Sequence, residues 1–345
     1  MGVEPGASRG LEQLRRTARL LVGDGRGILV ADESPAAMTV RLEKAGVPST
    51  PRNRRAFREL LVTTPDLNEG ISGVILCDET FRQRASDGRT FPRLVGDLGM
   101  VPGVAIAAGL RTLAGTAGEA ITEGMDSVGP RLAQYTALGA RFAKWRTVFQ
   151  VGAGRPTMLA LRANAHSTAR FAAASQAAGV VPVVEPKVLV DGANSHSECA
   201  EATLKVLRHT FRALGDAGVD AGAVVLRPTM VVSGVYTRRS CSPAVVARRC
   251  IRTLVAAVPH DLAGVAFMSG GLPPAVAATN LAAMQGVDAP WPRTFAFGGA
   301  LVISPLLAWL GEPARVALGQ AVLSVGVERT VRGLAPARPA GRPFA

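Results

Sequence analysis

Eight short apolar runs rich in β-branched residues recur along this chain, and stretches with helical periodicity separate them. The runs are GILVADES (27–34), SGVILCDE (72–79), VPGVAIAAG (101–109), RFAKWRTVF (141–149), VVPVVEPKVLV (180–190), GAVVLRPTMVV (222–232), GVAFMSGG (264–271) and TFAFGGAL (294–301). Apolar-periodic segments at 158–178, 198–215, 243–257 and 273–285 lie between the later runs,. Strands that alternate with helices pair in parallel and need helical crossovers. The pattern predicts an α/β fold, a single (β/α)8 TIM barrel over residues 1–333, with its active site at the C-terminal ends of the strands. Extra helices are expected at 10–22, at 53–62 behind Pro51, and over 312–332. The Pro- and Arg-rich residues 334–345, LAPARPAGRPFA, are expected to form a mobile tail,. A two-domain doubly wound fold is the alternative. Against it, no linker is visible, no GxGxxG follows the first strand, and VGAGRP (151–156) lacks the third glycine,.

Composition excludes several function classes. No apolar run approaches the roughly 20 residues that span a bilayer. The start, MGVEPGASRG, fits neither a signal peptide nor the myristoylation pattern,. Cys77, Cys199, Cys241 and Cys250 show no CxxC spacing, so a reducing, cytoplasmic setting is expected,. The net charge of +13 comes from scattered arginines, and aromatics are only 5% of residues. Stacking platforms for bases are therefore scarce, and nucleic acid is not an expected partner. His166, His196, His209 and His260 are isolated, without HxH or HxxxH spacing, so no metal and no other cofactor is expected,. Only four of the 39 basic residues are lysines: Lys44, Lys144, Lys187 and Lys205. A lysine retained in such an arginine-rich chain marks a position that needs an amine.

The ends of the runs carry charge in apolar context: Asp32, Glu33, Asp78, Glu79, Lys144, Arg146, Glu185, Lys187, Arg227 and Ser269. Residues two apart on a strand share a face, so Lys144 pairs with Arg146 and Glu185 with Lys187. A set of ion pairs capping the barrel is the plain structural alternative. Arg227 poses the sharpest question, because a buried run that ends on a cation must pair it, solvate it or use it. The Ser269-Gly270-Gly271 turn before a helix start offers free amides for an anion.

Together, GILVADES, GVILCDETF with DGRTFP, ARFAKWR, VPVVEPKVLVDG, GVAFMSGG and TFAFGGAL resemble the class I fructose-1,6-bisphosphate aldolases over about residues 10–330. The resemblance implies a (β/α)8 barrel, usually a cytoplasmic homo-oligomer (a tetramer). It also implies metal-free cleavage of a ketose phosphate through a lysine Schiff base. On the matching positions it implies Asp32 for proton transfer at the scissile bond, Lys144 and Arg146 from the KWR motif, and Glu185 as the acid/base of imine formation. Ser34, Arg41, Ser269, Gly270 and Gly271 match substrate-side positions.

Departures from the family pattern are concentrated at the site. The lysine of the LLKPNM-like motif is Arg227 in VLRPTM, and the second strand-five carboxylate is Lys187. The phosphate-binding arginine of the eighth strand is Gly299, and the substrate-contacting lysine of the third strand is Ala105. A guanidinium stays protonated and offers no free amine to a carbonyl. Three readings stay open. The first is a diverged enzyme with aldol-type or related imine chemistry on another small, sugar-like carbonyl substrate, phosphorylated or not. The others are a catalytically inactive homologue that binds a metabolite or partner, and a fructose-bisphosphate aldolase with a rearranged site. In the first, Lys187 is either the relocated amine, activated by repulsion from Arg227 and Lys144, or an electrostatic residue that holds an oxyanion or phosphate. Lys144 is the other lysine able to form an imine. Glu185 then moves the protons, and Arg227 is a fixed cation.

Overall fold

A computed structural model describes residues 5–152, 154–237 and 241–334. Its strands are β1 (Gly27–Ala31), β2 (Ile71–Leu76), β3 (Val101–Ala105), β4 (Gly109–Thr112), β5 (Ala120–Glu123), β6 (Phe142–Phe149), β7 (Val181–Val188), β8 (Val225–Leu226), β9 (Gly264–Phe267) and β10 (Arg293–Phe297). Eight of them close a barrel in the order β1-β10-β9-β8-β7-β6-β3-β2, every pair parallel. The expected (β/α)8 barrel is therefore the observed one.

Alternation along the strands builds the interior. Ile28, Val30, Ile75, Phe142, Val181, Val183, Val225, Ala266 and Ala296 form one buried cluster inside the barrel. Leu14, Ala18, Leu21 and Val22 of the helix Pro5–Val22 belong to the same cluster, so this helix plugs the N-terminal end. Ser72 Oγ donates to the carbonyls of Leu21 and Gly27, fixing plug to barrel. Arg15 binds Asp220 at 2.6 Å beside it. With the bottom of the barrel interior closed by hydrocarbon, the cleft lined by the strand-end charges lies at the C-terminal mouth. The outward strand residues pack on the surrounding helices. Trp145, for instance, stacks on Phe171 of the helix Met158–Ala177 at 5.6 Å. That outward tryptophan is why Lys144 and Arg146 both face inward.

Three expectations need correction. The run 222–232 is not one strand: residues 221–223 form a 3-10 turn, and only Val225 and Leu226 pair on both sides. Pro228 has no N–H to continue the ladder, and past it only a bridge between Thr229 and Met268 remains. The run 101–109 ends at Ala105, after which β4 and β5 form an antiparallel hairpin above the mouth. The run 294–301 turns helical at Gly299, giving the helix Gly299–Trp309. The expected closing segment is a 3-10 turn at Pro313–Arg315 followed by the helix Val316–Arg332. The expected tail lies outside the described residues from 335 onward. No described helix is long and apolar enough to cross a membrane.

Phe142 fills the barrel at the level of Gly103, where an added Cβ would lie 2.2 Å from its ring. Overpacking of this kind costs about 1–3 kcal/mol. Gly103→Ala should therefore lower the urea midpoint measurably, and a wild-type midpoint would show that the Phe142 ring has room to move.

Candidate active site

Continuing the inward alternation past the apolar interior turns four of the strands, β1, β6, β7 and β8, from apolar to charged. Asp32 follows Ile28 and Val30. Lys144 and Arg146 follow Phe142, Glu185 and Lys187 follow Val181 and Val183, and Arg227 follows Val225. All six line one cleft of about 420 Å³ at the mouth. Ser34, Arg41, Ser269, Gly270 and Gly271 line it too, so every site residue expected from sequence meets there.

Glu185 lies at the centre. Its side chain is fully buried and its carboxylate meets three cations: Lys144 Nζ at 3.0 Å, Arg227 Nη1 at 2.5 Å, and Arg146 Nε. Burial alone would push this carboxyl up. Arg227, Lys144 and Arg146 outweigh it and hold Glu185 far below the ordinary carboxylate range,. Lys144 also binds Asp32. Burial again opposes ionisation there, and Lys144 and Arg146 again win, leaving Asp32 below its ordinary value. The same Glu185 carboxylate, with Asp32, holds Arg146 firmly protonated.

Arg227 is 4% exposed and uses its whole fork. Nε and Nη2 both donate to the Ala296 carbonyl, at 3.2 and 2.7 Å, while Nη1 faces Glu185. Its backbone N–H donates to the Val184 carbonyl. The cation at the end of a buried strand is thus a strut from β8 to β7 and β10.

Lys187 is different. Among the described residues it has no carboxylate within 4.0 Å, although it is partly buried in the cleft. Burial pushes its ammonium down, and Arg146 and then Arg227 push the same way, with Glu185 and Asp191 opposing. The direction matches the sequence expectation, but the leading cause is desolvation. The strongest repelling charge is Arg146, followed by Arg227.

At the opposite rim, Glu33 binds Arg41 at 2.5 Å and the buried Arg58 at 2.7 Å. Ser34 caps the helix Pro35–Lys44 through its Oγ, which accepts the Ala37 N–H. Gly270 and Gly271 have φ of +61° and +90°, a left-handed pair that suits glycine and turns amides toward the cleft,. The helix Gly299–Trp309 starts at the same rim. Arg41 lies 3.8 Å from where a Gly299 Cβ would begin, so the rim keeps one arginine beside that position.

Sequence reading missed the hairpin wall. Gly109, Leu110 and Thr122 line the cleft, and Thr122 Oγ1 donates to the Arg146 carbonyl at 2.6 Å. A four-residue hairpin strand such as GLRT carries too little periodicity to be seen. Asp78 and Glu79, also flagged from sequence, stay outside: Asp78 accepts from Tyr135 and Arg82, and Glu79 pairs with Arg54. Among the described residues no group of three or more His, Cys, Asp and Glu is placed to hold a metal ion.

Comparison with known proteins agrees with this geometry. The family model "Fructose-bisphosphate aldolase class-I" matches residues 13–331. The chain belongs to the class I fructose-bisphosphate aldolase family. It is 41% identical to a probable class 1 fructose-bisphosphate aldolase of Xanthomonas campestris, over 87% of this chain and 90% of that one. It is 42% identical to a cytosolic fructose-bisphosphate aldolase of Arabidopsis thaliana, over 90% and 87%. Among solved structures, the fructose-bisphosphate aldolase of Plasmodium falciparum, crystallised with TRAP and a small-molecule inhibitor, superposes with a TM-score of 0.93. The two are 36% identical, with 95% of each chain covered.

Removing the central carboxylate charge strands three buried or half-buried cations. Breaking a buried pair this way costs about 3–5 kcal/mol, so Glu185→Gln should lose that much stability in chemical denaturation. The acid limb follows by linkage. Asp32 and Glu185 have folded pKa values below their ordinary 3.8 and 4.5. Their contribution is therefore complete above those ordinary values and is lost as pH falls through the folded ones. Glu185→Gln should flatten the loss of stability below about pH 4, and an unchanged acid limb would show that the carboxylate is not held by its neighbours.

Proposed function

We propose that this family member is a metal-independent aldol-type lyase acting on a small sugar-like carbonyl substrate, with Lys187 as the imine-forming amine. The observation that carries the reading is the contrast among the cations of the mouth. Lys144, Arg146, Arg227 and Arg41 each have a carboxylate partner, and Lys187 has none among the described residues. A lysine that is desolvated and repelled reaches its neutral, nucleophilic form more readily. By resemblance the family's amine would fall at Arg227, but that guanidinium cannot form an imine.

The roles follow. The Lys187 amine attacks the substrate carbonyl. Loss of water from the carbinolamine leaves an iminium, which takes up the electron pair of the breaking carbon–carbon bond. Asp32, with Lys144 bound to it, accepts the hydroxyl proton that must leave as that bond breaks. Glu185 is held as an anion by Lys144, Arg146 and Arg227 and positions all three. Its part in the proton transfers of imine formation belongs to the same reading. The Ser269–Gly271 amides and Arg41 take an anionic group on the substrate. A homo-oligomer is part of the same reading, and a cytoplasmic setting is supported by the cytosolic relative from Arabidopsis thaliana.

Borohydride reduction during turnover of a carbonyl substrate, followed by peptide mapping, tests the amine. The expected adduct is on Lys187, and Lys187→Arg should abolish it while leaving the fold intact. An adduct on Lys144 would move the assignment one strand back. Turnover with no adduct would make the chemistry non-covalent, and no turnover of any carbonyl substrate would favour a binding protein.

Substrate preference gives a second check. Ala105 and Gly299 offer no charge where resemblance implies two phosphate-binding side chains. Each charged hydrogen bond contributes about 1.5–3 kcal/mol, so fructose bisphosphate should bind about a hundredfold or more weakly than a family enzyme binds it. Micromolar affinity by calorimetry would overturn this.

A further inference from the structure

His196 and Cys241 lie 45 residues apart in sequence and meet beyond the barrel mouth, with Cys241 Sγ 3.3 Å from His196 Nδ1. His196 opens the helix His196–Asp216, and Cys241 precedes the helix Pro243–Val255. His196 Nε2 lies 3.1 Å from the Val231 carbonyl, which can only accept, so Nε2 carries the hydrogen,. The neutral ring therefore turns the Nδ1 lone pair toward the thiol. Burial pushes the imidazole down, the Val231 hydrogen bond opposes this, and the Arg249 charge adds to burial. The ring stays neutral and can accept a proton. A nucleophile, a base and a group that orients the base are the parts of an activated thiol.

The other three cysteines lack this arrangement. Cys77, Cys199 and Cys250 are buried, and burial pushes the Cys199 thiol up to about 11 and the Cys250 thiol up to about 12. Cys241 alone among the four is partly exposed. It opens on a cavity of about 500 Å³ walled by Val232, Val246, Leu272 and Val276. Asn280 also lines that cavity, is 3% exposed, and makes no side-chain hydrogen bond among the described residues. Its amide faces the cavity rather than being sealed in the protein, which leaves it free to donate to a ligand carbonyl,.

We propose that Cys241, with His196 as its base, is a second reactive site that takes up small, mainly apolar α,β-unsaturated carbonyl compounds by conjugate addition. Nδ1 takes the thiol proton, and the sulfur electron pair forms a bond to the β-carbon. The carbon–carbon π pair moves to give the enolate, and the imidazolium returns its proton to the α-carbon. The product is a thioether, and no oxidant, leaving group or water is required. The Asn280 amide donates to the ligand oxygen. This site uses none of the mouth residues and stands apart from the lyase reading.

The test treats the full-length protein with 2-cyclohexenone and follows intact mass and peptide maps. A single adduct on Cys241 is expected, formed faster than on free glutathione at the same pH. A positioned base contributes about 10²-fold or more, so His196→Asn should slow the adduct by about that factor. Val276→Trp, at the half-exposed cavity rim, leaves thiol and imidazole in place and should block cyclohexenone, so the test survives if His196→Asn fails to fold. First labelling at another cysteine, a rate equal to that of glutathione, or wild-type rates in the folded variants would each overturn the proposal.

Discussion

One buried carboxylate organises the mouth of this barrel. Glu185 joins β6 to β7 through Lys144 and Arg146, and β7 to β8 through Arg227, which continues to the Ala296 carbonyl on β10. Each cation would be costly to bury alone, and so would the carboxylate. Their mutual contact makes the cluster tolerable and also makes it rigid, because no member can leave without stranding the others. Catalytic precision in a barrel of this kind depends on such a network more than on the loops above it, since the side chains sit on strand ends whose register is already fixed.

The cluster is not charge-balanced. Lys144, Arg146, Lys187 and Arg227 face Asp32 and Glu185, so the centre of the mouth keeps an excess of positive charge. That excess attracts an anionic substrate. It also falls on Lys187, the member with no carboxylate within reach among the described residues. On the proposed reading, one arrangement therefore serves both substrate capture and amine activation. Asp32 and Glu185 are kept ionised by the same cations, so neither is a proton donor at rest.

The barrel was legible in the sequence because eight apolar runs alternate with helical stretches, and because the interior face could be followed from Ile28 to Asp32 or from Val181 to Lys187 by counting in twos. The site residues were legible for the same reason. The hairpin of β4 and β5 was not, since its short strands carry no distinctive pattern, and the early end of β8 was hidden by continuous apolar sequence on both sides of Pro228. Pair identities were also beyond reach. Only the geometry shows Lys144 held by Asp32 and Glu185, and Arg146 with Arg227 acting on Lys187. The His196–Cys241 contact joins two loops, a relation that periodicity never encodes.

The cause of the Lys187 shift bears on how the amine would behave with substrate bound. If repulsion from neighbouring cations came first, an arriving anion would cancel it and restore the proton just when a free amine is needed. Desolvation comes first instead, ahead of Arg146 and Arg227. A substrate that fills the cleft removes more water and strengthens desolvation, while its anionic group weakens repulsion. These effects oppose one another, and the larger grows as the cleft fills. An anion held at the Ser269–Gly271 rim would thus leave Lys187 available to the carbonyl, whereas one seated directly against Arg146 would not. On the proposed reading, the site would favour substrates whose anion and carbonyl are separated by the width of the mouth.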